Sequence, residues 1–157
     1  MDVAGLILNH GLYGTVYVVC VISGLVPAVN AEIFLLLVMA AVPEAPALPV
    51  ALVATCGQMT AKSLMYLTGL GLIRLPLRRY EARLASVHEQ MVRRKGGVFA
   101  LLLFSATSGI PPFYLMSIAS GMLQVPFPAF FVAGFAGRFV RFSLFAAFPE
   151  VLRRMAP

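Results

Sequence analysis

Charge is what this sequence has least of. Only 11% of the 157 residues are charged and six of those are acidic, against 61% hydrophobic residues and a mean hydropathy of +0.92. That balance excludes an ordinary soluble domain and identifies an integral membrane protein. Cysteine is nearly absent too. Cys20 and Cys56 each sit in an apolar segment with no Cys or His at metal-ligand spacing, which excludes a zinc site and a disulfide framework and leaves two small hydrophobes. His10 and His88 are isolated, no nucleophile elbow or P-loop is present, and Ser105, Thr107 and Ser108 have no base near them in sequence. The chain is therefore expected to be no enzyme and to need no metal and no cofactor. Its opening, "MDVAG", is acidic where a secretory signal needs positive charge, so the small-residue stretch "VPAVNAE" is not expected to be a cleavage site.

What basic charge there is has been gathered in one place. Seven of the twelve Lys and Arg residues fall between Arg74 and Lys95, between apolar blocks. The flanking segments leave little soluble fold to present a nucleic-acid patch, so no nucleic acid is expected as partner. The pattern fits a cytoplasmic loop beside anionic lipid.

Hydropathy divides the rest into blocks at 11–26, 31–42, 50–73, 97–110, 112–125 and 127–148. A helix needs roughly 20 residues to cross the bilayer core, and the blocks 50–73 and 127–148 satisfy that. The others are short and paired around prolines, in "GLVPAVN" and "GIPPF". An arm of about a dozen residues reaches ~18 Å, half the bilayer and an interface. Each pair therefore reads as a re-entrant hairpin, at 11–42 and 97–125, with Pro27 at one tip and Gly109, Pro111 and Pro112 at the other. Lipid cannot satisfy the backbone groups that a break exposes, so both tips are expected to face inward. A kinked but spanning helix over 97–123 is the competing reading.

The halves echo each other. "SGLVP" (23–27) matches "SGIPP" (108–112), and each is followed by an apolar arm and a long helix, one carrying "GQMTAK" and the other "GRFVRF". A hairpin returns the chain to its own side and the following helix crosses, so the second unit starts from the opposite face. The expected fold is an all-α membrane protein, one domain over 1–157, built as an inverted repeat of two re-entrant hairpins, each followed by a transmembrane helix. Gly69, Gly71, Gly134 and Gly137 are expected to permit close helix approach.

The connector 74–96 carries Leu77, Tyr80, Leu84, Val87 and Met91 at spacings of three and four, an amphipathic helical stripe supported by Glu89 four residues before Arg93. It is expected to lie along the cytoplasmic interface, with a short coiled-coil contact as alternative. Its arginines orient the chain, although Arg153 and Arg154 would then end outside, against the positive-inside trend.

Glu32 stands out because it lies five residues after Pro27, beside Asn30, at the head of "IFLLLVMA". A charge at the membrane centre costs at least ~2.5 kcal/mol on insertion scales, so such residues face a cavity or a partner. The alternative is a shallow tip where Glu32 reaches water or caps the arm. Its candidate partners are Lys62, Arg138 and Arg141. Arg138 and Arg141 share a helical face, and Lys62 shares one with Gln58 and Tyr66. These residues are expected to surround a polar cleft, unless the two arginines snorkel to an interface. The three hydroxyls Ser105, Thr107 and Ser108 are expected to satisfy broken backbone or line a polar path.

"GIPPFYLMSIASGMLQVPFPAFFVAGFAGRFVRF" (109–142), "GQMTAKSLMYLTGLG" and "PAVNAE" resemble the DedA family, also called the VTT-domain or SNARE-associated Golgi protein family, and most closely its short YqaA-like bacterial members. The likeness covers most of residues 20–148. It implies the hairpin-and-helix fold, residence in the bacterial inner (plasma) membrane as a multi-pass protein, and lipid movement. Bacterial relatives are associated with recycling of a polyprenyl-phosphate carrier and with proton-dependent envelope fitness, and eukaryotic ones with phospholipid scrambling. Glu32 matches the family's acid after the first proline. Two family arginines near the second tip have no counterpart, their places falling near Thr107 and Phe113. The expected function is thus a lipid transporter or scramblase for an anionic headgroup, with Lys62, Arg138 and Arg141 attracting phosphate, Glu32 gating or coupling, and a homodimer as a possible enclosure. The alternatives are a non-transporting membrane scaffold and a small-ion or solute transporter.

Overall fold

The computed structural model describes residues 3–26, 29–72, 81–93 and 97–155. Among these it forms seven helices and no strand: α1 (Val3–Leu25), α2 (Ala31–Ala41), α3 (Ala47–Gly69), α4 (Glu81–Arg93), α5 (Val98–Ser108), α6 (Phe113–Met122) and α7 (Phe127–Met155). The proline-flanked breaks fall where expected, with Pro27 outside the described residues. The helix that carries the first arm is longer than the arm: α1 has 23 residues from Val3, and its short apolar part, Gly11–Leu25, agrees with the expected block. Two expectations about length need correction. The first long helix runs over 47–69 rather than 50–73, and Gly71, at φ 80°, turns the chain after it. α7 continues seven residues past 148, through Pro149. Of the two helices expected to cross the membrane, the Phe127–Val151 part of α7 is both long and apolar enough among the described residues. α3 has the length, but Gln58 and Lys62 break its apolar run.

The chain folds as two compact units. One comprises Met1–Gln58 and Phe139–Pro157, the other Met59–Arg138. Each therefore contains one helix–break–helix hairpin and a part of each long helix.

In the first unit α1 and α2 pack together, and Val16, Cys20, Leu35, Met39, Val50, Ala54, Phe142 and Ala146 form the core. Helix α2 starts at Ala31 because Asn30 caps it: the Asn30 Oδ1 accepts from the N–H groups of Glu32 (2.9 Å) and Ile33 (3.2 Å). Such a cap contributes about 0.5–2 kcal/mol. Its buried residues, Ala31, Leu35 and Met39, repeat every fourth position, so one stripe faces protein. Gly57 lets α3 touch α1, since a Cβ there would stand 2.6 Å from the Tyr17 carbonyl oxygen and 3.0 Å from the Cys20 Cβ.

In the second unit the break between α5 and α6 is closed by short-range bonds. Gly109, left-handed at φ 83°, caps α5 by donating its N–H to the Ser105 carbonyl (2.8 Å). The Ser105 hydroxyl donates to the Pro111 carbonyl, and Ser108 Oγ donates to the Phe104 carbonyl (2.7 Å) while accepting from the Ile110 N–H (3.2 Å). The Ile110–Pro111 peptide is cis. Beyond it, α6 is buried at Phe113 and at every position from Leu115 to Gly121. A helix enclosed all round needs small residues where backbones meet. Gly69 of α3 and Gly121 of α6 supply them, each lying against the other helix's backbone, at Ile118 and Tyr66 respectively. Gly134 sits against Phe113 and Met59, and Gly137 against Leu103 and Ala106. Gly71 has no neighbour of that kind and serves the turn instead.

Helix α4 turns its apolar stripe to protein. It packs on α6, with Leu84, Val87 and Met91 at 7%, 4% and 1% exposure. The amphipathic stripe is real, and protein covers it. Leu77 and Tyr80 lie outside the described residues.

Candidate functional site

Fold and capping together present Glu32 in the first turn of α2, where the helix dipole favours a carboxylate by about 0.3–1 kcal/mol. Of its three candidate cations, Arg141 lies in the same unit and meets it. The Arg141 Nε donates to the Glu32 Oε1 at 2.7 Å across 109 residues of sequence. The pair is part-buried, with the Arg141 and Glu32 side chains 23% and 16% exposed. Arg141 also lies over the Phe145 ring, with its Cζ 5.7 Å from the centroid. A short charge-assisted bond in apolar surroundings is stronger than its surface counterpart. Asn30 serves α2 by capping it.

Gln58, in the same unit, is 3% exposed, and its Nε2 donates to Ser23 Oγ at 2.6 Å. Ser23 is a site residue that sequence reasoning passed over. It is the serine of "SGLVP", and the recurrence of that serine ahead of both breaks was the available signal.

The other expected residues belong to the second unit. Lys62 is 4% exposed, with Nζ 5.9 Å from the centroid of the Tyr114 ring. Arg138 places its Cζ 5.2 Å from the Phe113 ring centroid. Arg138, expected to act together with Arg141 from one helical face, thus lies against Phe113 of the second hairpin, as Arg141 lies against Glu32 of the first. Phe113 occupies a place where the resemblance led one to look for an arginine, and Arg138 brings a guanidinium to that ring from α7. Tyr66 is a packing residue: its hydroxyl donates to the Val125 carbonyl at 2.6 Å and its ring stacks on Phe130 at 5.0 Å. Phe113 extends the stack on the other side of Phe130, at 6.0 Å. Gly109, Pro111 and Pro112 form the second break, and its hydroxyls answer backbone: Ser105 and Ser108 as above, and Thr107 by donating to the Leu103 carbonyl at 2.8 Å.

Compared with known proteins, the chain matches the family model of the VTT domain over residues 26–150. No curated protein and no solved structure matches it.

Proposed function

Because the chain belongs to the VTT-domain family, membrane proteins of the DedA type, we propose that it moves a phosphate-bearing lipid, a phospholipid or a polyprenyl-phosphate carrier, across a bacterial inner membrane without chemical conversion. The observation that carries this reading is the Glu32–Arg141 bond. Two well-packed apolar residues would hold α2 to α7 at least as well as a desolvated ion pair, so stability alone does not account for the charges. A guanidinium is a planar fork that takes a phosphate in two parallel bonds, as it takes a carboxylate. An arriving headgroup competes with Glu32 for Arg141, and the carboxylate takes the arginine back when the headgroup leaves. Glu32 is then the gate and Arg141 the gated cation, while Lys62 and Arg138 add positive charge in the second unit.

The finer architecture belongs to the same proposal. The two hairpins are re-entrant, α3 and α7 cross the membrane, and the units form an inverted repeat with the connector 74–96 on the cytoplasmic side. Support comes from parallel local packing: Gly57 lies against a carbonyl and a Cβ three residues apart on α1, and Gly137 against a carbonyl and a Cβ three residues apart on α5. The residue after each glycine then reaches its own hairpin, Gln58 to Ser23 and Arg138 to Phe113.

The test is reconstitution in liposomes with fluorescent phospholipid and polyprenyl-phosphate probes. Wild type is expected to equilibrate at least one probe faster than empty liposomes, and Glu32→Gln and Arg138→Ala to slow it at least tenfold. Wild-type rates equal to those of empty liposomes for every lipid would sink this reading. A scaffold gives that result without ion flux, and a small-ion transporter gives it with flux.

A further inference from the structure

Most buried hydroxyls in this protein satisfy themselves. Thr55, Thr68, Ser117 and Ser120 each donate to the carbonyl four residues earlier, at Ala51, Leu64, Phe113 and Met116. Ser23 and Gln58 follow a different rule. They spend one donor on each other, Nε2 to Oγ, and the Gln58 Oε1 stays buried with no hydrogen-bond partner among the described residues. The serine oxygen, already an acceptor, still carries its own proton to give. The pair as a whole therefore presents one open acceptor, the Gln58 Oε1, and two open donors, the serine proton and the second amide N–H. Exchanging the two ends of the amide does not alter that balance. Ser23 would then donate to Oε1, leaving the two amide N–H groups as donors and a serine lone pair as acceptor.

An unmet buried acceptor costs about 1–3 kcal/mol, and an aliphatic side chain of glutamine's size would avoid it. The site is also well fixed. Gly57, next to Gln58, sets α3 against the α1 backbone, and Ser23 and Gln58 are 7% and 3% exposed.

We propose that Ser23 and Gln58 form a buried hydroxyl-binding site in the first unit, taking a neutral group that donates to the open acceptor and accepts from the open donors. A water molecule and the hydroxyl of a glycerol-type headgroup share that chemistry. An ionised phosphate does not, since it brings acceptors alone. The site is independent of the Glu32–Arg141 gate and of whether the protein moves lipid.

Water-edited solid-state NMR on the full chain in bilayers, with nitrogen-labelled glutamine side chains, tests this. Gln90 and Gln124 are exposed and report the rate of magnetisation transfer expected for a wet amide. The Gln58 signal is identified by its loss in Gln58→Leu or, should that variant not fold, by its displacement in Ser23→Ala. In phosphatidylcholine, whose headgroup has no hydroxyl, transfer from water to Gln58 is expected at a rate close to that of the two exposed glutamines. Transfer no faster than to the buried backbone of α6 overturns the site. In phosphatidylglycerol, loss of the Gln58 transfer with Gln90 and Gln124 unchanged identifies the headgroup hydroxyl as occupant, and persistence identifies water. Either outcome stands whatever the liposome transport assay gives.

Discussion

The two hairpins are built from similar sequence and held by different chemistry. At the first, side chains far apart in sequence do the holding: Gln58 to Ser23 and Arg141 to Glu32. Only one stripe of α2 is buried. At the second, Ser105 and Ser108 answer local backbone, Phe113 joins an aromatic stack, and α6 is buried on nearly every side. Lipid tails are as apolar as leucine, so helices in a bilayer are held by close packing and hydrogen bonds rather than by escape from water. By that measure α6 is a fixed post. Helix α2 is held by one apolar stripe and by the polar bond from Glu32 to Arg141.

Replacing glycine by alanine at the tight contacts sharpens that contrast most. In Gly121→Ala the new Cβ overlaps the backbone at Tyr66, which cannot yield as a side chain would. The expected loss is at least about 3 kcal/mol, at the upper end of overpacking costs, read as a lowered melting temperature or loss of monodisperse protein in detergent. Gly57→Ala, in the first unit, is expected to cost less, about 1–3 kcal/mol, because the contact at 2.6 Å needs a smaller shift of a less enclosed helix. Equal melting temperatures for Gly121→Ala and wild type would remove the distinction between post and arm.

A smaller effect is expected from the ion pair. Glu32→Gln and Arg141→Gln should each cost roughly 1–3 kcal/mol by leaving a part-buried charge without its counter-charge, and the double variant should lose less than the sum. A double-mutant cycle of thermal unfolding measures the coupling. Additive losses would mean that the pair is incidental and that α2 is held by its apolar stripe alone.

The smallest effect is expected on α4. The Arg93–Glu89 bridge is 77% and 64% exposed, and exposed bridges of this spacing contribute about 0.3–0.5 kcal/mol at most. Arg93→Ala should leave the melting temperature unchanged within error, whereas Met91→Ala, in the face against α6, should lower it clearly. If the two variants behave alike, α4 is not part of the post.

These differences were only partly visible in the sequence. The breaks were legible, since proline and glycine disfavour a continuous helix, and so was the helical stripe of 84, 87 and 91. Periodicity says that a face is apolar, but not whether lipid or protein covers it, and α4 turned out to be covered by α6. Charge scarcity singled out Glu32, and the structure pairs it with Arg141. Its partner could not be chosen among Lys62, Arg138 and Arg141, because the choice depends on how helices a hundred residues apart approach one another. Tyr66 shared a face with Gln58 and Lys62 on paper, yet its hydroxyl was needed at the Val125 carbonyl. Ser23 was hidden because a lone serine near a helix end looks like many others.

The covered stripe of α4 has a consequence for how the chain is made. α4 ends at Arg93 and its cover, α6, begins only at Phe113, so the ribosome delivers the stripe before the surface that will hide it. At about 5–20 residues per second that leaves seconds in which Leu84, Val87 and Met91 need another apolar host, and the nearest is the membrane surface. The amphipathic pattern thus serves twice, as a temporary float for the nascent chain and as a permanent clasp once α6 has arrived.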